Sequence, residues 1–265
     1  MKDHFRLIKS AIERSGPKNL IILVNGNIKY YDIFRHALVP KYKTSRWFPD
    51  NNGLFEWGFY IYDIDDKGAK EVKKLLELLE KSVCIDDALF QTFALDYHFE
   101  FSGGRTAVGA DIHAAKPYKK PMTADRYAAA DALVTRFTGF IKCHPSYIRS
   151  DYFLAVPPSP NKKFDLPSYI ASKICSQLQV ASGQAYVKRI KNIPVKDAKS
   201  LKEKTEAIAG AFEFTAETPF SGKLVTIIDD IYQTGATLHE LGTLLESAGA
   251  TVQALVATKT LSDLW

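Results

Sequence analysis

The chain is poor in cysteine, methionine and tryptophan, and no long apolar run occurs in it. Three cysteines in 265 residues, Cys84, Cys143 and Cys175, are odd in number and widely spaced. That excludes a disulfide framework and a zinc-finger pattern, and it suits a reducing compartment. No stretch approaches the roughly 20 apolar residues that cross a bilayer. The opening MKDHFRLIKSAIERSG is charged and lacks the apolar centre of a secretory signal, so a cytoplasmic protein with no membrane partner is expected. A strong charge of one sign is missing too. The net charge is +5, a mild basic excess that suits phosphorylated small molecules and leaves nucleic acid possible but not favoured. Low-complexity tracts and internal repeats are absent.

What is present is a soluble globular composition, with 46% hydrophobic and 25% charged residues. The first half reads as irregular α+β. Residues 3–14 suggest a short helix stopped by Gly16-Pro17, and Leu20–Val24 a strand closed by Asn25-Gly26-Asn27. Residues 40–57 are aromatic-rich and irregular, with Trp47, Phe48, Phe55 and Trp57 as core or as a wall. Residues 58–62 suit a strand. Residues 68–82 suit a helix capped by Asp65 or Asp66, with Val72, Leu75, Leu76 and Leu79 on one face. Strands are expected in 88–101 and an Ala-rich helix over 122–140. From residue 150 strands and helices alternate: strands at 152–156, 185–190, 211–214, 224–228 and 252–257, helices at 165–178, 198–209 and 237–248. This alternation implies a parallel sheet covered on both faces. A boundary near residue 110–120 divides an accessory, hood-like region (1–120) from the regular part (121–265).

One stretch carries chemistry. In IIDDIYQTGATL, residues 227–238, Asp229 and Asp230 follow the apolar run Leu224–Ile228. Adjacent charges at the mouth of a buried strand are costly unless a ligand uses them. Ionised carboxylates only accept hydrogen bonds, and a vicinal diol such as that of ribose offers two donors. Tyr232, Gln233, Thr234, Gly235, Ala236 and Thr237 then lead into a helix. Gly235 permits a tight turn, the two threonines add hydroxyls, and the free N–H groups of the helix start suit a phosphate.

Apolar strand, Asp-Asp, Thr-Gly-Ala-Thr and helix, in that order, resemble the 5-phosphoribosyl-1-pyrophosphate (PRPP) motif of type I phosphoribosyltransferases. Upstream, DYFLAVPPSP (151–160) and the segment from VKRIKNIP to IAGAF resemble the ComF-like branch of that family, over roughly residues 150–258. The four-cysteine zinc site often found there has no counterpart here. The resemblance implies a type I phosphoribosyltransferase-like parallel sheet flanked by helices, and magnesium brought by PRPP with no metal ligand assigned to the protein. It also implies displacement of pyrophosphate by a nitrogen nucleophile of a small-molecule acceptor. Asp229 and Asp230 would hold the ribose. Arg189, in a segment (188–204) with seven Lys or Arg against two acids, would neutralise the leaving group, with Lys191 and Lys202 as further candidates. That segment reads as a mobile basic loop or as a solvated surface. Pro157, Pro158 and Ser159 form a pyrophosphate-loop candidate or a rigid turn, and proline removes the N–H donors a phosphate loop needs. Gln233 stands where some purine-salvage members carry a proton-accepting Asp, which disfavours hypoxanthine-guanine-type salvage. A PRPP-binding regulator without turnover and a ComF-like accessory of DNA uptake are the alternatives.

Overall fold

The computed structural model describes residues 4–118, 121–159, 162–191 and 201–261, apart from the side chains of 201, 202 and 204. The chain forms two compact units, one of residues 1–84 with 140–148, the other of 85–139 with 149–265. The expected boundary at 120 therefore falls inside the second unit. The reason is that the strand at 91–97 belongs to the parallel sheet, as described below.

In the first unit, β1 (His4–Phe5), β2 (Lys9–Arg14) and β3 (Leu20–Asn25) precede α1 (Tyr30–Leu38). Then come β4 (Lys43–Thr44), β5 (Phe48–Pro49), β6 (Trp57–Tyr62) and α2 (Asp66–Lys81), and β7 (Val83–Ile85) carries the division. An antiparallel sheet has the order β2-β3-β6-β4, with β5 also on β6. The helix expected over 3–14 is instead β1 and β2, because β2 pairs in register with β3 from Lys9↔Asn25 to Arg14↔Leu20. An isolated helix of that length is marginal, so sheet pairing overrides it. Gly16-Pro17 is a hairpin turn rather than a helix stop: Gly16 has φ +90° and Ser15 N–H donates to Asn19 O at 3.0 Å. The second helix follows expectation, its N-cap Asp65 accepting from Gly68 N–H at 2.7 Å, with Val72, Leu75, Leu76 and Leu79 buried.

The second unit runs β8 (Gln91–Tyr97), α3 (Ala107–Ala115), α4 (Ala124–Cys143, of which residues 140–143 count with the first unit), then, after α5 (Pro145–Ile148) of the first unit, β9 (Tyr152–Ala155), α6 (Leu166–Leu178) and β10 (Ala181–Ser182). There follow β11 (Val187–Arg189), α7 (Leu201–Ile208), β12 (Phe212–Phe214), β13 (Leu224–Tyr232), α8 (Ala236–Ser247) and β14 (Thr251–Lys259). Its parallel strands lie in the order β8-β14-β13-β9-β10. β11 and β12 form a separate antiparallel ribbon. The central strands are continuous apolar runs because both faces are covered: Val225, Ile227, Ile228, Val252, Ala254, Leu255 and Val256 are all fully buried. Near the amino end of this sheet, Ser150, Thr226 and Gln253 bond to one another at 2.6–3.1 Å, so the buried polar side chains tie β13 to β14. The order matters for function. β9 is followed in sequence by β10 on one side, yet the chain returns to lay β13 on the other. The carboxyl ends of β9 and β13 thus flank a topological switch point, where open parallel sheets bind ligands.

Candidate phosphoribosyl site

β13 is nine residues long and carries Asp229 and Asp230 near its carboxyl end, with Ile227 and Ile228 buried just before them. Past the strand, Gln233 and Thr234 turn the chain into α8. Gly235 is the N-cap in a left-handed conformation, φ +78°, and no side chain caps the helix. Its first intrahelical bond is His239 N–H to Gly235 O, 2.9 Å. The N–H groups of Ala236, Thr237 and Leu238 therefore lack intrahelical partners, as at any helix start. Asp229 to Leu238, together with Lys116, line a cavity of about 220 Å³.

Gly235 is required twice over. A Cβ there would stand 2.2 Å from the Tyr232 hydroxyl oxygen, besides the strained φ. Tyr232 is buried under the turn and donates to Asp87 Oδ2 at 3.2 Å. Asp87 is fixed in turn by Leu89 N–H (3.1 Å) and by the Thr92 hydroxyl (2.9 Å). On the other side lies Lys259, only 1% exposed, whose ammonium donates to Thr260 O (2.9 Å) and Gln233 O (3.3 Å) and stands 5.6 Å from the centre of the Tyr232 ring. Asp87 and Lys259 thus hold the turn from below through Tyr232 and the Gln233 carbonyl.

The electrostatics centre on three charges. Lys116, just after α3, pairs with Asp230 at 2.7 Å, and the Asp230 side chain is only 14% exposed. Asp229 accepts from Asp230 N–H at 2.8 Å. Burial, and then the charge of Asp230, push the Asp229 carboxyl well above the usual range, while Lys116 pulls it back. Burial, followed by Arg105 and Lys116, pushes His98 down; its Nδ1 lies 3.0 Å from the Thr258 hydroxyl. Two neighbouring carboxylates of which one resists ionisation suit a ligand that brings hydroxyl donors or a cation.

Among the described residues no group of three or more His, Cys, Asp or Glu could cage a metal. The donor set fits a magnesium ion that arrives on a diphosphate, keeps most of its waters and takes one or two carboxylates.

Of the other sequence candidates, Pro157, Pro158 and Ser159 begin the loop beyond β9, directly beside β13: Val156 N–H donates to Ile228 O at 3.1 Å. They do not line the 220 Å³ cavity, and neither do Arg189 and Lys191. Arg189 is half-buried on β11. Its Nε donates to Lys191 O at 2.9 Å, its guanidinium lies 5.9 Å from the Phe212 ring centre, and burial pushes its pKa down. The Lys191 ammonium donates to Ala209 O. The Lys202 side chain and residues 192–200, the centre of the expected basic loop, lie outside the described residues. Sequence reasoning missed Lys116, Asp87 and Lys259. Lys116 stands in a short basic run, AAKPYKK, that has no spacing tying it to the Asp-Asp pair, and the other two had no signal.

No protein-family model matches the sequence, and no curated protein matches it. Solved structures do match. An adenine phosphoribosyltransferase is 19% identical, with 52% of this chain and 73% of that one covered and a TM-score of 0.38. The adenine phosphoribosyltransferase of Thermoanaerobacter pseudethanolicus is 15% identical, with 58% and 88% covered and a TM-score of 0.38. The orotate phosphoribosyltransferase of Aeropyrum pernix is 17% identical, with 63% and 86% covered and a TM-score of 0.33. The chain is a mixed α/β protein with a mostly parallel sheet between helices, as expected. At such scores the likeness carries no argument about the site, which rests on this chain's own geometry.

Proposed function

We propose that the turn between β13 and α8 binds PRPP and that the chain is a PRPP-dependent phosphoribosyltransferase. The observation that carries this reading is the cavity at the carboxyl end of β13. Two carboxylates and a lysine face it, with a left-handed glycine and the open N-terminus of α8 next to them. The 5-phosphate would sit on the N–H groups of Ala236, Thr237 and Leu238 and the hydroxyls of Thr234 and Thr237, where the helix dipole favours an anion. Asp229 and Asp230 would accept from the two ribose hydroxyls. Magnesium, when bound with PRPP, supplies charge neutralisation for the departing pyrophosphate. Arg189 and the basic segment after it would add to that neutralisation, and the loop at Pro157–Ser159 would border the pyrophosphate. A nitrogen nucleophile would attack the anomeric carbon from the opposite face. DYFLAVPPSP and the Gly-Ala-Phe at 210–212 support the finer placement in the ComF-like branch.

A second reading, a PRPP-binding regulator, is favoured by one observation: the Arg189 and Lys191 side chains bond to nearby carbonyls and neither lines the cavity.

Thermal shift with PRPP and magnesium tests the binding site. A ligand at 100 times its Kd adds about 2.7 kcal/mol, so a clear upward shift is expected, and none at millimolar PRPP overturns both readings. Asp229→Asn with Asp230→Asn should abolish the shift in a folded protein. Release of pyrophosphate across nucleobases and small amines then separates enzyme from regulator.

A further inference from the structure

The first unit holds a second cavity, which the phosphoribosyl reading does not use. It measures about 600 Å³, within the range of ligand sites. It lies between α1, which contributes Tyr31 and Arg35, and the edge segment through β4, which contributes Lys43, Arg46 and Trp47. The wall is built rather than incidental. Trp47 stacks on the buried Phe59 ring at 5.4 Å and 5°, and Tyr31 meets Trp47 edge-on at 5.4 Å. The backbone beneath is held by Ser45, which bonds Tyr60 O through its N–H (3.0 Å) and takes the Tyr60 N–H on its hydroxyl (2.9 Å).

Charge is concentrated here. Residues 29–47 contain five Lys or Arg and one Asp, a net +4 against +5 for the entire chain. Among the described residues no Asp or Glu lines the cavity. Lys41 is committed to Glu71, which also accepts from the Tyr42 hydroxyl, but Arg35 and Arg46 have no ion-pair partner among the described residues. Lys43 stands 5.9 Å from the Tyr62 ring centre. A hollow walled by aromatic rings and rimmed by the cations Arg35, Lys43 and Arg46, whose one adjoining acid, Glu71, is taken up by Lys41 and Tyr42, matches a ligand that joins a flat π-system to phosphate. Guanidinium grips phosphate oxygens in pairs and stacks on rings, and base–aromatic stacking beside basic groups is how single strands are held.

We infer that this cavity binds a nucleotide, its base against Tyr31 and Trp47 and its phosphate between Arg35, Lys43 and Arg46. The nucleotide is either free or part of a single strand, and this site is independent of the one at Asp229 and Asp230.

The test uses the full chain with two probes at 50 mM salt: AMP by calorimetry, in the Asp229→Asn, Asp230→Asn background so that uptake at the β13–α8 turn does not contribute, and a fluorescein-labelled oligo(dT) 12-mer by anisotropy. Binding of at least one is expected, weakening as salt rises. Arg35→Ala with Arg46→Ala changes two exposed side chains and should lower the affinity at least tenfold, with the circular dichroism and the PRPP-dependent thermal shift unchanged. Binding of AMP identifies a free nucleotide as sufficient; binding of the 12-mer alone identifies a strand. If neither probe binds, or if the double variant binds as tightly as the parent, the inference is wrong. Because the readout is the Arg35/Arg46 dependence, failure of the PRPP reading leaves it standing, and the reverse also holds.

Discussion

The Lys116 ammonium lies 2.7 Å from the Asp230 carboxylate, inside the cavity that both residues line. The Asp230 charge is therefore partly neutralised within the cavity, and a ribose hydroxyl that donated to Asp230 would compete with Lys116. Lys116 also pulls the Asp229 ionisation downward. Lys116→Met should move that ionisation further up, because two carboxylates would remain with no cation between them. Carbon-13 NMR titration of the aspartate carboxyls checks this; a downward or absent displacement would show that Lys116 does not act on the pair.

Asp229 itself predicts a pH dependence. A carboxyl whose pKa is raised on folding holds its proton more tightly in the native state than in the unfolded chain. Stability then declines as pH rises from the unfolded value, about 3.9, through the raised one, and levels off above it. Asp229→Asn removes the ionisation. The variant should melt higher than the parent at pH 8, and the gain should vanish toward pH 4. Each tenfold displacement of the ionisation is worth about 1.4 kcal/mol, and for a chain of this size 1 kcal/mol is about 2–4 °C in Tm. Melting curves at pH 4, 6 and 8 decide the point, and a gain that is constant with pH would assign it to something other than charge.

Gly235→Ala places a methyl 2.2 Å from the Tyr232 hydroxyl oxygen and 2.7 Å from its ring carbon, at φ +78°. The left-handed conformation alone costs about 1–2 kcal/mol for a residue with a Cβ, and the contact forces Tyr232 away from Asp87. A loss of about 2 kcal/mol or more in urea unfolding is expected, together with loss of the PRPP-dependent shift. Tyr232→Phe in the same chain should restore only part of the stability, since the ring carbon still collides.

The order of parts in this candidate site is legible in the sequence because they are local. Asp229, Asp230, Gly235 and the start of α8 lie within eight residues, and an apolar run followed by charge, glycine and helix periodicity states their order. The parallel alternation after residue 150 was legible for the same reason, and β9, α6, β13, α8 and β14 fall where it places them. What escaped was non-local. β8 lies far from β14 in sequence, and only their pairing, Gln253↔Gln91 onward, draws it into the sheet. Lys116, Asp87 and Lys259 reach the turn from three other elements and leave no spacing to read. α1 carries little sequence signal, because Tyr30, Tyr31 and Phe34 are modest helix formers and its N-cap, Lys29, makes no side-chain cap; burial of Tyr30, Ile33, Phe34, Ala37 and Leu38 sustains it instead.

Arg189 decides between the two proposed readings. Its guanidinium has lost part of its hydration at the β11–β12 ribbon, and one nitrogen is engaged by Lys191 O. If the chain turns PRPP over, charge grows on the leaving pyrophosphate, and the guanidinium has to exchange that carbonyl for phosphate oxygens as the bond breaks. An interaction made chiefly in the transition state lowers kcat when removed and leaves ground-state binding nearly intact. Arg189→Ala should therefore cut pyrophosphate release by about 10²-fold, the scale set by loss of one preorganised donor, while the PRPP-dependent thermal shift changes by less than about 1 °C. Arg189→Lys should recover only part of the rate, because a point charge cannot grip two oxygens at once. Equal losses in rate and in affinity would make Arg189 a binding residue. An unchanged rate would place it in the ribbon alone, bonded to Lys191 O and packed near Phe212, and if no acceptor then supports pyrophosphate release the regulator becomes the better reading.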